Sequence, residues 1–171
     1  MKIDPIQTTR LVLRNYTKAD MDFVISIWND PDMGKYLPDP SIENVDKQYM
    51  KAYKTMEEYE ECCYLISVFV ETGELIGTCS FVPGEDGSTY DLGYCVHKKF
   101  QENGYATEMA QGMIDYAGAH GAREITATVH KENVASIALM RKLGFTIVGE
   151  TQTRKIGTGI IMGEYLYRLE L

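Results

Sequence analysis

A strand, a glycine turn, an amphipathic helix and a second strand follow one another between Thr89 and Val129, and this run constrains the fold more than any other part of the chain. Residues 89–96 read as a strand. Ala106, Met109, Ala110, Met113, Ile114 and Ala117 then recur at the spacing of one helix face. Gly118 and Gly121 supply a stop, and residues 124–129 read as the next strand. A strand–helix–strand unit of this kind predicts a right-handed crossover joining parallel neighbours. The connection into the helix is Gln101-Glu102-Asn103-Gly104-Tyr105-Ala106. A helix start carries unpaired N–H groups and the positive end of the helix dipole, so this turn is suited to a phosphate. Gly104 lets backbone approach an anion with no Cβ in the way.

The rest of the chain supplies the remaining layers. Residues 10–14 alternate like a first strand. Thr17, three residues before Asp20, opens a helix expected to end near Trp28, before Asn29-Asp30-Pro31. A second helical stretch, loosely amphipathic, covers 44–60. Strands at 64–70, 75–82 and 89–96, separated by turns at Thr72-Gly73 and Pro83-Gly84, predict an antiparallel meander. A helix over 134–143 stops at Gly144, and strands at 146–153 and 163–171 close the chain. The order is β-α-α-β-β-β-α-β-α-β-β, an α/β (α+β) chain with one domain over 1–171 and a mixed sheet.

Composition narrows the function. A formal net charge of −8 disfavours nucleic acid, which needs basic surface; an acidic surface serves solubility first and also attracts cations such as amines or basic peptides. No apolar run is long enough to span a membrane and no signal-type segment opens the chain, so the expectation is a cytoplasmic protein. Cys62, Cys63, Cys79 and Cys95 make no C-x-x-C pair and no zinc-type spacing with histidine, so they read as reduced, mostly buried thiols. No G-x-x-x-x-G-K-[ST] is present, which argues against a nucleoside triphosphatase.

A second motif runs from Asn133 to Phe145. Asn133 stands at a helix start and can cap it. Ser136 and Met140 lie one turn apart on one helical face, and Leu139 and Leu143 on another that should pack on the sheet. With these residues in place the chain resembles the GNAT superfamily of N-acetyltransferases over nearly its whole length. Residues 96–106 are similar to that superfamily's cofactor signature, with Lys98 where proline is usual, and 133–145 to its N-x-x-[AS]-[IL] segment. Thr9 to Arg14 and Asp91-Leu92-Gly93-Tyr94 resemble the RimJ/RimL-like branch, which acetylates ribosomal-protein N-termini.

The resemblance implies a GNAT fold, with six to seven strands in a mixed central sheet and about four helices on both faces. It implies acetyl-CoA as co-substrate, an amine acceptor, no metal, and a homodimer through the C-terminal strands. The backbone of Gln101, Glu102, Asn103, Gly104, Tyr105, Ala106 and Thr107 would hold the pyrophosphate. Cys95 and Val96 would pair with the pantetheine amides like an added strand, and Asn133 would bind that arm from the other side. The acceptor would enter opposite, beneath the two N-terminal helices, where Trp28, Tyr36, Tyr49 and Tyr53 are either core or pocket.

Acetyl transfer to an amine needs a proton acceptor, a donor to the thioester oxygen and a proton for the thiolate. The superfamily's usual tyrosine donor falls at Met140, which cannot donate, and Ser136 is the substitute one turn earlier. A glutamate that ribosomal-protein acetyltransferases can carry falls at Thr128. Asp91, on the strand leading to the thioester, is the candidate base. His130, Glu150 and Glu164 are further titratable groups near the same strands. The competing reading keeps the fold without catalysis, as an acyl-CoA-binding regulatory or interaction domain.

Overall fold

Eight strands form one mixed sheet in the computed structural model, which describes all 171 residues. Across the sheet run β1 (Ile6–Gln7), β2 (Leu11–Asn15), β3 (Cys63–Phe69), β4 (Leu75–Pro83), β5 (Thr89–Val96) and β6 (Glu124–His130). The C-terminal β8 (Ile161–Glu170) follows, and β7 (Thr146–Arg154) lies at the far edge. Only β5 and β6 are parallel, as the crossover unit requires.

The four α-helices divide between the two faces. α3 (Tyr105–Ala119) buries Met109, Met113 and Ala117 against Leu11, Leu13, Phe81 and Leu92 of the sheet. α4 (Val134–Lys142) joins the same core through fully buried Met140 and partly buried Leu139. On the opposite face, α1 (Met21–Trp28) and α2 (Lys47–Thr55) pack Val24 and Tyr53 against Ile66 of β3. The periodicity of α3 identified its buried face. Ala106 is the exception: it stays half-buried because it lines a cavity at the helix start.

Two departures from the sequence expectation have local causes. β1 is two residues long, too short for any alternation to show, and it forms because Ile6 pairs with Leu13 and packs into the core over α3. Gly112 permits that approach: a Cβ there would lie 2.8 Å from Thr8 Cγ2. The second helix is shorter than 44–60, because Asp46 caps it by accepting from the Tyr49 amide at 2.7 Å and the chain tightens to a 3₁₀ turn at Met56–Glu58.

A long-range tie organises the N-terminal helices. The tip of the β7–β8 hairpin reaches the loop between α1 and α2, where Lys155 donates to Gly34 O and Leu37 O, both at 2.8 Å. The Ile156 amide adds a bond to Pro38 O at 2.8 Å. No helix is long and apolar enough to cross a membrane.

The start of α1 hangs on one ion pair. Arg14, near the end of β2, forks onto Asp20 with bonds of 2.8 and 2.7 Å, and Thr17 N–H and Oγ1 both donate to Asp20 Oδ2. Asp20 is 4 % exposed. Burial by itself would raise its pKa, but the Arg14 fork and the Thr17 donors outweigh burial and hold it below the usual aspartate value. A lowered carboxyl pKa contributes stability above the unfolded-state value, and the contribution disappears as pH falls through the folded value. Arg14→Met should therefore cost roughly 2–3 kcal/mol at neutral pH, below the usual figure for a broken buried pair because Arg14 is partly solvated. Denaturant titrations should show that deficit shrinking in acid. A deficit constant with pH would mean that Arg14 acts through packing alone.

Candidate active site

β5 and β6 pair only at Thr89↔Glu124, Tyr90↔Ile125 and Asp91↔Thr126. Beyond that point each strand keeps its other partner: β5 stays paired to β4 as far as Val96, and β6 to β8 as far as His130. The strands therefore part into a V with backbone exposed on both arms. The His97 amide bonds Ile76 O on β4. Alternation along β5 then turns Cys95 and Gly93 toward β4, and Leu92, Tyr94 and Val96 toward the cleft. Of the two residues expected to pair with an added strand, Val96 faces the cleft through its backbone, whereas Cys95 lines the cavity with its backbone turned to Thr78. Tyr94, which the sequence reading passed over, offers the next cleft-facing amide.

The turn at 101–106 lies at the mouth of this V. Glu102 and Gly104 have φ of 64° and 79°, the left-handed region, and Gly104 is the N-cap of α3. No backbone N–H from Glu102 to Thr107 has a partner within the protein. Successive free amides at a turn and the start of a fifteen-residue helix make a concave anion site. Gln101 bonds Val96 O through Nε2 at 3.1 Å, and Asn103 Nδ2 closes the turn on Gln101 O at 2.8 Å. Asn103 thus shapes the turn with its side chain.

The turn is also braced from the other side of the sheet edge. Arg10 donates from both terminal nitrogens to Asn103 O at 3.2 and 3.1 Å, and its guanidinium stacks 4.4 Å from the Tyr105 ring centroid. Glu108, in the first turn of α3, accepts from Arg10 Nε at 2.7 Å, Arg10 N at 2.6 Å and Thr8 Oγ1 at 2.7 Å. The opening motif therefore has a physical role: it sets the position of the turn.

A cavity of about 540 Å³ fills the V. Tyr94, Cys95 and Val96 form one wall, the turn from Gln101 to Ala106 another except for Asn103, and Asn133 and Ser136 of α4 the third. Asn133 Oδ1 accepts from the Ser136 amide at 3.2 Å, so it caps α4 while lining the cavity. Thr107 faces a neighbouring open cavity of about 630 Å³ that also includes Lys142. Met140 is fully buried in the core and takes no part in either. The Tyr94 hydroxyl is buried beside the cavity without a well-formed hydrogen bond. Burial pushes its pKa up to about 12, with Ser136 pulling it partly back.

Asp91 sits where the strands begin to part, on the face opposite α3 and α4. It accepts from Thr126 Oγ1 at 2.8 Å, and burial raises its pKa while that bond opposes the rise. The other titratable candidates are engaged elsewhere. Glu164 is buried and accepts from Thr153 Oγ1 at 2.5 Å, Glu150 pairs with Lys131 at the surface, and His130 packs on Tyr36 at 5.0 Å. Burial pushes the Cys95 thiol up to about 12, so it is no nucleophile near neutral pH. No three His, Cys, Asp or Glu side chains are arranged to hold a metal ion.

A V between parallel strands with an anion-binding turn at its mouth is suited to a long, phosphate-bearing thioester, and the comparisons agree. Residues 10–146 match the family model described as an acetyltransferase (GNAT) domain. An uncharacterised N-acetyltransferase, p20 of Bacillus licheniformis, is 27% identical over 98% of this chain and 96% of its own. The solved RimL, an α-N-acetyltransferase of ribosomal protein L7/L12, superposes with a TM-score of 0.79 at 19% identity over 98% of this chain and 94% of its own. The Vibrio cholerae spermidine N-acetyltransferase, solved with CoA and spermine, has a TM-score of 0.78 at 16% identity over 95% and 96%. The chain belongs to the GNAT acetyltransferase family, with a RimL-like fold, and is an acetyl-CoA-dependent N-acetyltransferase.

Proposed function

We propose that this enzyme transfers the acetyl group of acetyl-CoA to a primary amine by direct attack, with both substrates bound at once. The observation that carries the reading is the V between β5 and β6, with the anion-binding turn at its mouth and Asp91 at the point where the strands part. Acetyl-CoA supplies the activated acyl group as a thioester. The cleft-facing amides of Tyr94 and Val96 hold the pantetheine arm as an added strand, and the N–H groups of residues 102–107 take the pyrophosphate. Asn133 flanks the arm from α4. Holding amine and thioester in contact removes much of the barrier without further chemistry.

Asp91 acts as the base, directly or through a water, and the Ser136 hydroxyl donates a hydrogen bond to the departing thiolate, which takes its proton from solvent. The fully buried Met140 leaves that second role to the hydroxyls that line the cavity. The non-catalytic alternative is disfavoured by the same geometry, since a simple binding domain has no need of a half-buried carboxylate at the point of parting.

The cofactor assignment makes a paired prediction. Gly104→Ala forces an L-residue into φ 79°, while Gly87→Ala does the same at φ 68° in a turn remote from the cleft. Each should lose about 1–2 kcal/mol of stability, but only Gly104→Ala should raise the Kd for CoA, read by calorimetry. Equal CoA affinity in the two variants would remove the turn from the site.

The base assignment is read in kinetics. Asp91→Asn should lower kcat by ~10²- to 10⁴-fold with any good acceptor. The ionised carboxylate is the active form and its pKa is raised, so the wild-type acid limb should lie above the usual aspartate range. A wild-type pH–kcat profile in Asp91→Asn would assign the proton to another group.

A further inference from the structure

On the face of the sheet opposite α3 and α4 lies a cluster of aromatic side chains with one carboxylate, and its chemistry points to the acceptor. Cross-strand pairing places Ile66, Thr78 and Cys95 in one row and Tyr64, Ser80 and Gly93 in the next, all on the α1–α2 side. Trp28 is fixed above this floor by its Nε1 bond to Thr78 Oγ1 at 2.9 Å. Its rings stand 6.0 Å from Tyr53 and 5.8 Å from Tyr64, and Tyr49 meets Tyr53 edge-on at 5.1 Å. Trp28, Tyr49 and Tyr64 are half-buried, so each packs on the core while leaving part of its ring exposed.

Asp39, in the loop between α1 and α2, meets this aromatic cluster at Tyr49. Its carboxylate accepts from the Tyr49 hydroxyl and has no other side-chain partner. No lysine or arginine forms a salt bridge with it. Lys155 is near enough for its charge to be felt, but two of its hydrogens are committed to Gly34 O and Leu37 O. Those bonds, with Ile156 N–H on Pro38 O, hold the loop in place. Burial raises the pKa values of Tyr53, Tyr64 and Cys95, and the charge of Asp39 adds to each rise. Burial raises the pKa of Asp39 itself, with Tyr49 and Lys155 opposing.

A half-buried carboxylate that forms no direct ion pair, with Lys155 acting on it only at a distance, can take a cationic ligand as its partner. Aromatic faces attract ammonium groups, and a net charge of −8 draws cations toward the protein. We infer that Asp39, framed by Trp28, Tyr49, Tyr53 and Tyr64, is the acceptor-binding carboxylate, and that the acceptors are amines that arrive as ammonium ions. This rests on the acetyltransferase reading and narrows it: weakly basic amines such as anilines lack the charge that Asp39 requires. Asp39 binds the ammonium, and loss of its proton before attack remains with Asp91.

Trp28 is the chain's only tryptophan, so its fluorescence reports on this pocket directly. The probes are 1,5-diaminopentane and its uncharged analogue 1,5-pentanediol. The wild type should give a saturable change with the diamine and none with the diol, and Asp39→Asn should weaken diamine binding at least about tenfold, the loss of one charge-assisted contact. Asp39→Asn should keep the wild-type Kd for CoA. Equal diamine affinity in wild type and Asp39→Asn, or an equal response to the diol, would overturn the inference. Thiol release from acetyl-CoA with the diamine tests the underlying reading separately. Saturable, Asp39-dependent binding without thiol release supports the pocket and counts against transfer to this amine; thiol release unchanged by Asp39→Asn overturns the pocket and leaves transfer intact.

Discussion

The parting of β5 from β6 after Asp91 and Thr126 is the constraint on which the rest of the structure depends. Parallel neighbours joined by a crossover normally pair along their length. Here each strand is held more strongly by its antiparallel partner, β4 or β8, and the two halves of the sheet diverge. Unpaired backbone N–H and C=O groups inside a protein need partners. The fold leaves them open along one edge of β5, and a ligand with amide groups of its own can complete that edge. The arrangement offers a binding edge made of backbone, whose hydrogen-bonding pattern does not depend on the side chains along it.

The clamp from Arg10 to Glu108 and Asn103 converts that opening into a defined site. Without it the turn at 101–106 would be tied down only through Gln101, Asn103 and the start of α3. With it, the amides that face the anion are held from behind by β2, and the core beneath α3 fixes the helix axis along which the dipole acts. Charge is divided between the two ends of the V. The cofactor end presents N–H groups and the helix dipole, and the acceptor end presents the carboxylates Asp91 and Asp39. On the proposed reading, an anionic cofactor and a cationic acceptor would be drawn to opposite sides of the same strands.

The elements with local signals were legible in the sequence. The period of α3 named its buried face before any coordinates, and Gly104 marked the turn because a left-handed N-cap there excludes most other residues. The meander followed from strand runs between glycine-rich turns. Long-range chemistry was not legible. Arg10 and Asn103 are 93 positions apart, and nothing local distinguishes Arg10 from any strand-edge arginine. Asp39 lies in an irregular loop whose position is set by Lys155, well over a hundred residues away, so its place beside Tyr49 is a property of the folded chain alone. Met140 lay between the two cases: its mismatch to the family's tyrosine was readable, but its complete withdrawal into the core was not.

The central claim is that the cleft edge of β5 and the turn at 102–107 bind coenzyme A through their backbone. Amide hydrogen exchange, measured residue by residue with and without CoA, tests it most directly. At CoA concentrations roughly a hundred times Kd, the amides of Tyr94, Val96 and residues 102–107 should exchange up to about 100-fold more slowly. The Cys95 amide, already bonded to β4, should change much less. Saturated CoA with unchanged exchange at Tyr94, Val96 and the turn, or protection confined to another surface, would contradict the account.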